Sequence, residues 1–508
     1  MAGVESVVQP SVLHHISSSA LVVSGITLLL YLIYRGLFQE SRNYPPGPSG
    51  LPIIGNVFSL IITKRQQHEV VDEWSHKYGP IFAFKLLGTR VYILADPGLI
   101  SEAFHQIPYI NDRITFEMAD DKTCRVNNGA GIAASNGEVW KEQRRFFLKV
   151  FKKIDLGVIR FEEIIGSEVD RLLKEIEKKG DESFDPAIRI NIAIANIITR
   201  IITGINYDHD DEEFKHLIEC SHRIYKILGP AGLFSIMPIL AKLPSSAKTE
   251  IVSLSVEMLN VLRRSVETHK AEFDQDKPGT DFIGCYLKEM YKRKEENNTG
   301  TFDELNLLAT SFDALLGGFE TSTTSISWMI FTLAVHPGIQ ERVRQEIVDV
   351  VGSEKTPRFS DRHSMPFTEA TLAECMRLHP AVAIHVPHIA SRDCKVGGYD
   401  VTQGSAVIAN LWYLSRSGNL WKDPLEFKPE RFLDAEGQFN KKLEPLPFGY
   451  GLRVCPGEHL ARMEVFLFMT SLLQHFSLTL PEDAPTSIGG KHGLTNIPDP
   501  FKIHAKKI

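Results

Sequence analysis

The chain reads as a mainly α protein with small β-sheets, set behind an N-terminal membrane-spanning helix. Three observations predict this. From residue 138 to about 350, apolar residues recur at 3–4 spacing among interleaved acidic and basic ones, as amphipathic helices require. Strand-like runs are short: Ile81–Leu86, Val91–Ala95 and the stretch from Tyr399 to Trp412. Between Glu5 and Arg35 there is no Asp, Glu, Lys or Arg.

That uncharged stretch has an apolar centre from Ala20 to Tyr34. With its weakly polar flank from Ile16 it is about long enough to cross a bilayer. A cleaved signal peptide is the competing reading, but no basic n-region and no small-x-small cleavage site accompany it. Arg35 and Arg42 follow the span and only Glu5 precedes it. The positive-inside rule then puts the N-terminus in the lumen and the body in the cytosol. Asn297-Asn298-Thr299 is a formal glycosylation sequon that this topology leaves unmodified. Pro45-Pro46-Gly47-Pro48 and Gly50-Leu51-Pro52 make a stiff, non-helical hinge after a polar linker. The expected division is an anchor and linker over 1–44 and a catalytic domain over 45–508.

The 508 residues are 43% hydrophobic, ample for a large core, and length alone favours about three domains. A net charge of −7 gives no sign of a nucleic-acid partner. Six scattered cysteines without a CxxC fit a reducing compartment. Leu87-Gly88-Thr89-Arg90 reads as the turn of a hairpin. The pattern next predicts a helix starting near Gly137. A long helix is expected over Phe302–Val335, with Thr301-x-x-Glu304 as its capping box and Pro337 as its stop.

Chemistry concentrates in Phe448-Gly449-Tyr450-Gly451-Leu452-Arg453-Val454-Cys455-Pro456-Gly457. The glycines allow close backbone approach to a flat macrocycle and φ > 0 in a tight turn. Phe448 can cover the sulfur face, and the planar fork of Arg453 suits a carboxylate such as a haem propionate. Cys455 sits just before a helical run, where backbone N–H groups and the helix dipole favour a thiolate. A thiolate opposite an open iron position promotes O–O cleavage. A lone cysteine near a turn is more often an inert thiol; six fixed positions together make it a haem-iron ligand here.

Three further constellations support that reading. Gly317-Gly318-Phe319-Glu320-Thr321 puts two glycines inside the long helix, at about 1 kcal/mol each. A flat cofactor against the helix explains them, and Glu320 with Thr321 then forms an acid–alcohol pair able to relay protons. The alternative is helix–helix packing, with Thr321 bonded back onto its own helix. Glu374 and Arg377, one helix turn apart, are expected to join Arg431 of Pro429-Glu430-Arg431-Phe432 in a buried network locking the Cys455 loop. Trp140 and Arg144, at i and i+4, offer an indole N–H and a guanidinium to a propionate, with His388 and Arg113 as weaker candidates. The same helix carries Lys141, Arg145, Lys149, Lys152 and Lys153, a basic face that suits an acidic electron donor. No G-x-G-x-x-G occurs in a strand–turn–helix setting, so electrons must come from a partner.

These segments, in this order and over nearly the whole chain, resemble the cytochrome P450 family. Pro45–Pro48, Arg144-Arg145-Phe146, Glu320-Thr321-Ser322-Thr323-Thr324 and Pro387-His388 carry a closer likeness to its animal microsomal, drug- and steroid-metabolising group. The resemblance implies a single haem-thiolate domain in place of the three that length suggests. It implies heme b, held by Cys455 and by Trp140, Arg144, His388 and Arg453, with Thr321 and Glu320 delivering protons to bound oxygen. It also implies a membrane-bound monooxygenase of the endoplasmic reticulum acting on lipophilic substrates. Its partner would be an NADPH-cytochrome P450 reductase, with cytochrome b5 as a second donor. A haem-thiolate isomerase or dehydratase acting on a peroxide is the alternative. Two positions depart from the family pattern: Ser415-Arg416-Ser417-Gly418 stands where an Asp-Pro pair is usual, and Phe319 where a small residue is usual. Family-like pocket segments include Phe116, Phe312, Leu315, Leu316, Val382, Ile384 and Val386. Asp313 and His385 lie near them as polar anchors, Asp313 also being suited to holding a loop. Gly229–Ile239 is apolar enough to dip into lipid.

Overall fold

The computed structural model describes residues 20, 22–30, 42–51, 54–62, 65–114, 129–156, 161–231, 245–443 and 445–508. Phe116, Cys124, most of the apolar 229–239 segment and much of the expected anchor lie outside them. Residues 22–30 are helical, with Val22, Leu29 and Leu30 exposed.

The mainly α expectation holds. The helices that matter for the site are α1 (Gln67–Tyr78), α2 (Gly137–Leu156), α3 (Phe161–Glu177), α4 (Pro186–Thr203), α5 (Glu212–Ala231), α6 (Ser246–Ala271), α7 (Phe282–Glu295), α8 (Glu304–Val335), α9 (Pro337–Val351), α10 (Pro366–Leu378) and α11 (Glu458–His475). The long α8 runs through the main core, against α4, α11 and α10. α4 is the one described helix long and apolar enough to cross a membrane. It is 72% buried and serves as a core helix. Its ends are well specified: Asp185 accepts from the Ala187 N–H, Pro186 opens the first turn, and Gly204 closes it with φ 73°.

Among the described residues the largest sheet has four strands. β1 (Ile81–Leu86) and β2 (Thr89–Leu94) form the expected hairpin, but its turn is only Leu87-Gly88. Both residues take positive φ, 44° and 89°, which matches the twist of a two-residue hairpin better than the four-residue turn expected. β3 (His388–Ile389) pairs antiparallel with β4 (Ala406–Ala409), which pairs in parallel with β2, so the sheet order is β1-β2-β4-β3. Val91 and Ile93 bury one face against Trp74 of α1. Tyr92 and Leu94 bury the other against Ile100 and Phe104. Covering both faces fits the continuous apolar character of these strands.

One cap differs from expectation. The N-cap of α8 is Asp303, which accepts from the Asn306 N–H at 2.7 Å. Thr301 instead ties α2 to the start of α8. Its hydroxyl and N–H both donate to Glu142, and its carbonyl accepts from Gln143. His336 and Pro337 end α8 where the proline predicts.

Candidate functional site

The Cys455 loop is built by backbone. The Cys455 N–H donates to the Phe448 carbonyl at 2.9 Å, closing the loop. Gly449 and Gly451 adopt φ 80° and 79°. A Cβ on Gly449 would stand 2.5 Å from His385 Nε2, and one on Gly451 would stand 2.1 Å from the Phe104 carbonyl oxygen. These two glycines are thus demanded by neighbouring protein, in addition to any macrocycle. The Phe448 ring lies under the Arg462 guanidinium, 4.8 Å from its centroid. Backbone N–H groups of Gly457 and Glu458, at the start of α11, favour a thiolate on Cys455, as does Arg144. Burial outweighs them and holds the free thiol above its ordinary pKa. The helix start alone therefore does not create the thiolate; a bound cation would supply the missing charge.

Around this loop gather three guanidiniums. Arg453 donates to the carbonyls of Asn111 (2.8 Å), Ile132 (3.4 Å) and Ser135 (2.7 Å) and to the Asn136 side chain, and stacks 3.9 Å over the Trp140 ring. Arg144 donates to the Val454 carbonyl, beside Cys455. Arg113 donates to the carbonyls of Val386 (2.9 Å) and Pro387 (2.8 Å). Burial, then repulsion from Arg453 and Arg144, pushes Arg113 down to about 9; burial likewise brings Arg453 to about 9. Among the described residues none of the three forms an ion pair with a carboxylate side chain. Two buried ring nitrogens beside them lack partners: Trp140 Nε1 and His388 Nε2. His388 Nδ1 is 2.8 Å from the Ile110 carbonyl and so carries a hydrogen, while the ring stacks on Phe104 at 4.0 Å. Burial and the nearby arginines drive its pKa well below the usual value, leaving Nε2 bare. Clustered cations with the unpartnered Trp140 N–H form a cradle for a dianion, and the two carboxylates of haem fit it.

The glycine pair of α8 splits its duties. A Cβ on Gly318 would come within 2.7 Å of Ile198 on α4, so this glycine serves helix packing. One on Gly317 would meet nothing within 4 Å. Phe319 is fully buried in the main core, as are Phe312 and Leu315. The bulky ring at 319 thus turns away from the Gly317 face, and Phe312 and Leu315 pack in the same buried cluster.

Thr321 Oγ1 donates to the Gly317 carbonyl at 2.8 Å, bonding back onto its own helix. Glu320 is buried, and its Oε1 lies 3.2 Å from Nδ1 of His222, a half-exposed residue on α5. That carboxylate raises the His222 pKa. Three residues on, the Tyr225 hydroxyl donates to the Leu316 carbonyl at 2.9 Å. Sequence reasoning missed both contacts, because 98 residues separate His222 from Glu320.

The two polar anchor candidates are occupied. Asp313 Oδ2 accepts from the N–H groups of Ile132 (2.8 Å) and Ala133 (2.9 Å), so it holds the loop that Arg453 grips from the other side. Burial raises its carboxyl to about 7. His385 Nδ1 contacts the Val386 carbonyl, and its ring abuts Gly449. The Glu374 network forms as expected. Arg377 Nε and Nη2 donate to both Glu374 oxygens at 2.6 and 2.9 Å, and Arg431 Nε donates at 2.9 Å. Glu374 and Arg377 are fully buried. The spare donors of Arg377 reach the carbonyls of Ser415 and Pro424, and those of Arg431 reach the carbonyls of Lys422 and Asp423, pinning the irregular chain before Cys455. Of the basic α2 residues, Lys141, Arg145, Lys149, Lys152 and Lys153 are exposed, while Arg144 turns inward.

Comparison with known proteins agrees. The cytochrome P450 family model matches residues 45–505. Cytochrome P450 2U1 of Bos taurus is 32% identical over 491 residues, covering 92% of this chain and 90% of the relative. Cytochrome P450 2J1 of Oryctolagus cuniculus is 33% identical, covering 95% of each. Cytochrome P450 2J2 of Homo sapiens is 32% identical, covering 95% of this chain and 96% of the relative. The chain accordingly belongs to the cytochrome P450 family, as a monooxygenase whose cofactor is haem on a cysteine thiolate.

Proposed function

We propose that this enzyme inserts one atom of O2 into a lipophilic substrate (steroid, fatty acid, terpenoid or xenobiotic) at the endoplasmic reticulum membrane. The balance is substrate C–H, O2, NADPH and a proton giving C–OH, water and NADP+, with a flavin reductase passing two electrons singly. Cytochrome b5 is a second possible donor. The exposed lysines and Arg145 of α2 offer such an acidic partner a docking face.

Haem held by Cys455 would supply the activation of O2. The protein's own residues do the rest. Cys455 is the proposed ligand. Arg113, Trp140, Arg144, His388 and Arg453 would hold the propionates, and an anion beside His388 would offset its desolvation and let Nε2 take a proton. Phe448 would help cover the sulfur of Cys455. Glu320 would pass a proton received from His222, whose half-exposed ring reaches solvent. Thr321 now donates to Gly317, so its lone pairs remain free to accept that proton before it hands on its own.

The unneutralised arginine cradle beside Cys455 carries this reading. Reduced, carbon monoxide-bound enzyme is expected to show the thiolate-type absorbance, lost in Cys455→Ala. A lipid panel with reductase and NADPH, read by mass spectrometry, should give products one oxygen heavier. An unchanged spectrum in Cys455→Ala, or oxidation that proceeds without NADPH, would refute it.

A further inference from the structure

Between α5 and α6 three unlike donors converge, away from the haem cradle. His216 and Cys220 stand one helical turn apart on α5, so both project from one face. Glu257 meets them from α6. His216 Nε2 is 2.5 Å from Glu257 Oε2 and 3.6 Å from Cys220 Sγ; that sulfur is 3.9 Å from Glu257 Oε2. The three donor atoms lie within 4.8 Å of one another.

Zinc binds sulfur, imidazole nitrogen and carboxylate oxygen at about 2.0–2.3 Å, which sets tetrahedral donors roughly 3.3–3.6 Å apart. Two edges of the triangle are already close to that. The third needs His216 and Glu257 to part by under about 1 Å, the freedom of two surface side chains. Burial grades across the site in the sense zinc ligation needs. Cys220 is buried, whereas His216 and Glu257 are 58% and 43% exposed, which leaves an outer position for water. Ser253 Oγ approaches Glu257 Oε1 at 3.5 Å, an outer contact that presents Oε2 inward.

We propose that His216, Cys220 and Glu257 form a binding site for a divalent, borderline-soft cation of the zinc class. The cation clips α5 to α6. The sulfur selects against magnesium and calcium, which take oxygen ligands. The clip matters for the catalytic site because α5 also brings His222 to Glu320 and Tyr225 to the backbone of α8. The site's existence, however, is independent of the haem reading.

The test uses full-length, haem-loaded enzyme, stripped with a chelator and titrated with zinc alone. One zinc per chain is expected. Absorption at the zinc edge should report one sulfur at about 2.3 Å and nitrogen or oxygen at about 2.0–2.1 Å. Cys220→Ser should remove the sulfur shell. His216→Ala and Glu257→Gln should each weaken binding at least about tenfold, the loss that even outer-shell partners cause. The haem absorbance of each variant reports that it has folded, and surface-exposed Glu257→Gln remains informative if Cys220→Ser does not fold. Absence of a sulfur shell in the parent enzyme overturns the proposal. So does stoichiometric binding of equal affinity in all three variants, which would place the metal elsewhere.

Discussion

Replacing Glu374 tests whether the Cys455 loop is locked from behind. Its carboxylate accepts from Arg377 twice, from Arg431 and from the Lys428 N–H at 2.9 Å. Arg377 is fully buried and Arg431 is 10% exposed. Removing the acid therefore leaves the fully buried Arg377 and the mostly buried Arg431 without their shared carboxylate. Breaking a buried pair by deleting one partner costs about 3–5 kcal/mol. The matched domain spans residues 45–505. At about 2.1 cal/mol/K of unfolding entropy per residue, a domain of this size has about 1 kcal/mol/K, so the midpoint should fall by roughly 3–5 °C. Glu374→Ala should show the whole effect. Glu374→Gln, which keeps the shape but turns an N–H towards an arginine, should show most of it. Calorimetry of haem-loaded protein and haem content per chain are the assays. Midpoints within a degree of the parent, with full haem content, would refute the locking argument.

Two further outcomes follow from the same geometry. Gly318→Ala forces a methyl into Ile198 and should destabilise by about 1–3 kcal/mol, whereas Gly317→Ala meets nothing and should gain up to about 1 kcal/mol of helix propensity while lowering haem content; denaturant melts of both forms separate the pair. Buried Glu464 receives one hydrogen bond, from Ser322 at 2.6 Å, leaves Oε1 unpartnered, and is pushed up by burial to about 8, as Asp313 is to about 7. Both carboxyls stay protonated in the fold at pH values where the unfolded chain ionises. Their contribution is complete below the ordinary carboxylate range and is lost as pH rises to about 7 and 8. Glu464→Gln should flatten the fall in unfolding midpoint between pH 5 and 8, and an unchanged slope would exclude the carboxyl as its source.

What the sequence disclosed follows from how local each signal was. Cys455 with its glycines, Trp140 with Arg144, and the end of α8 at Pro337 all depend on neighbours within a few residues. The Glu374–Arg377–Arg431 network was legible because two of its members share a helix turn and the third sits in a distinctive Pro-Glu-Arg-Phe run. Other features depend on distant chain. Asp303 displaced the expected Thr301 cap because Glu142, on another helix, claims Thr301. Asp313 spends its carboxylate on a loop 180 residues away. His222 meets Glu320 only because α5 packs over α8. Gly317 and Gly318, adjacent and identical in sequence, differ because their directions on the helix differ by about 100°.

Arg453 already donates to the carbonyls of Asn111, Ile132 and Ser135, which fastens the sulfur-bearing strap to two segments more than 300 residues earlier in the chain. Those bonds use the N–H groups of Arg453 and leave its positive charge unneutralised, so uptake of a dianionic cofactor should slow as ionic strength rises.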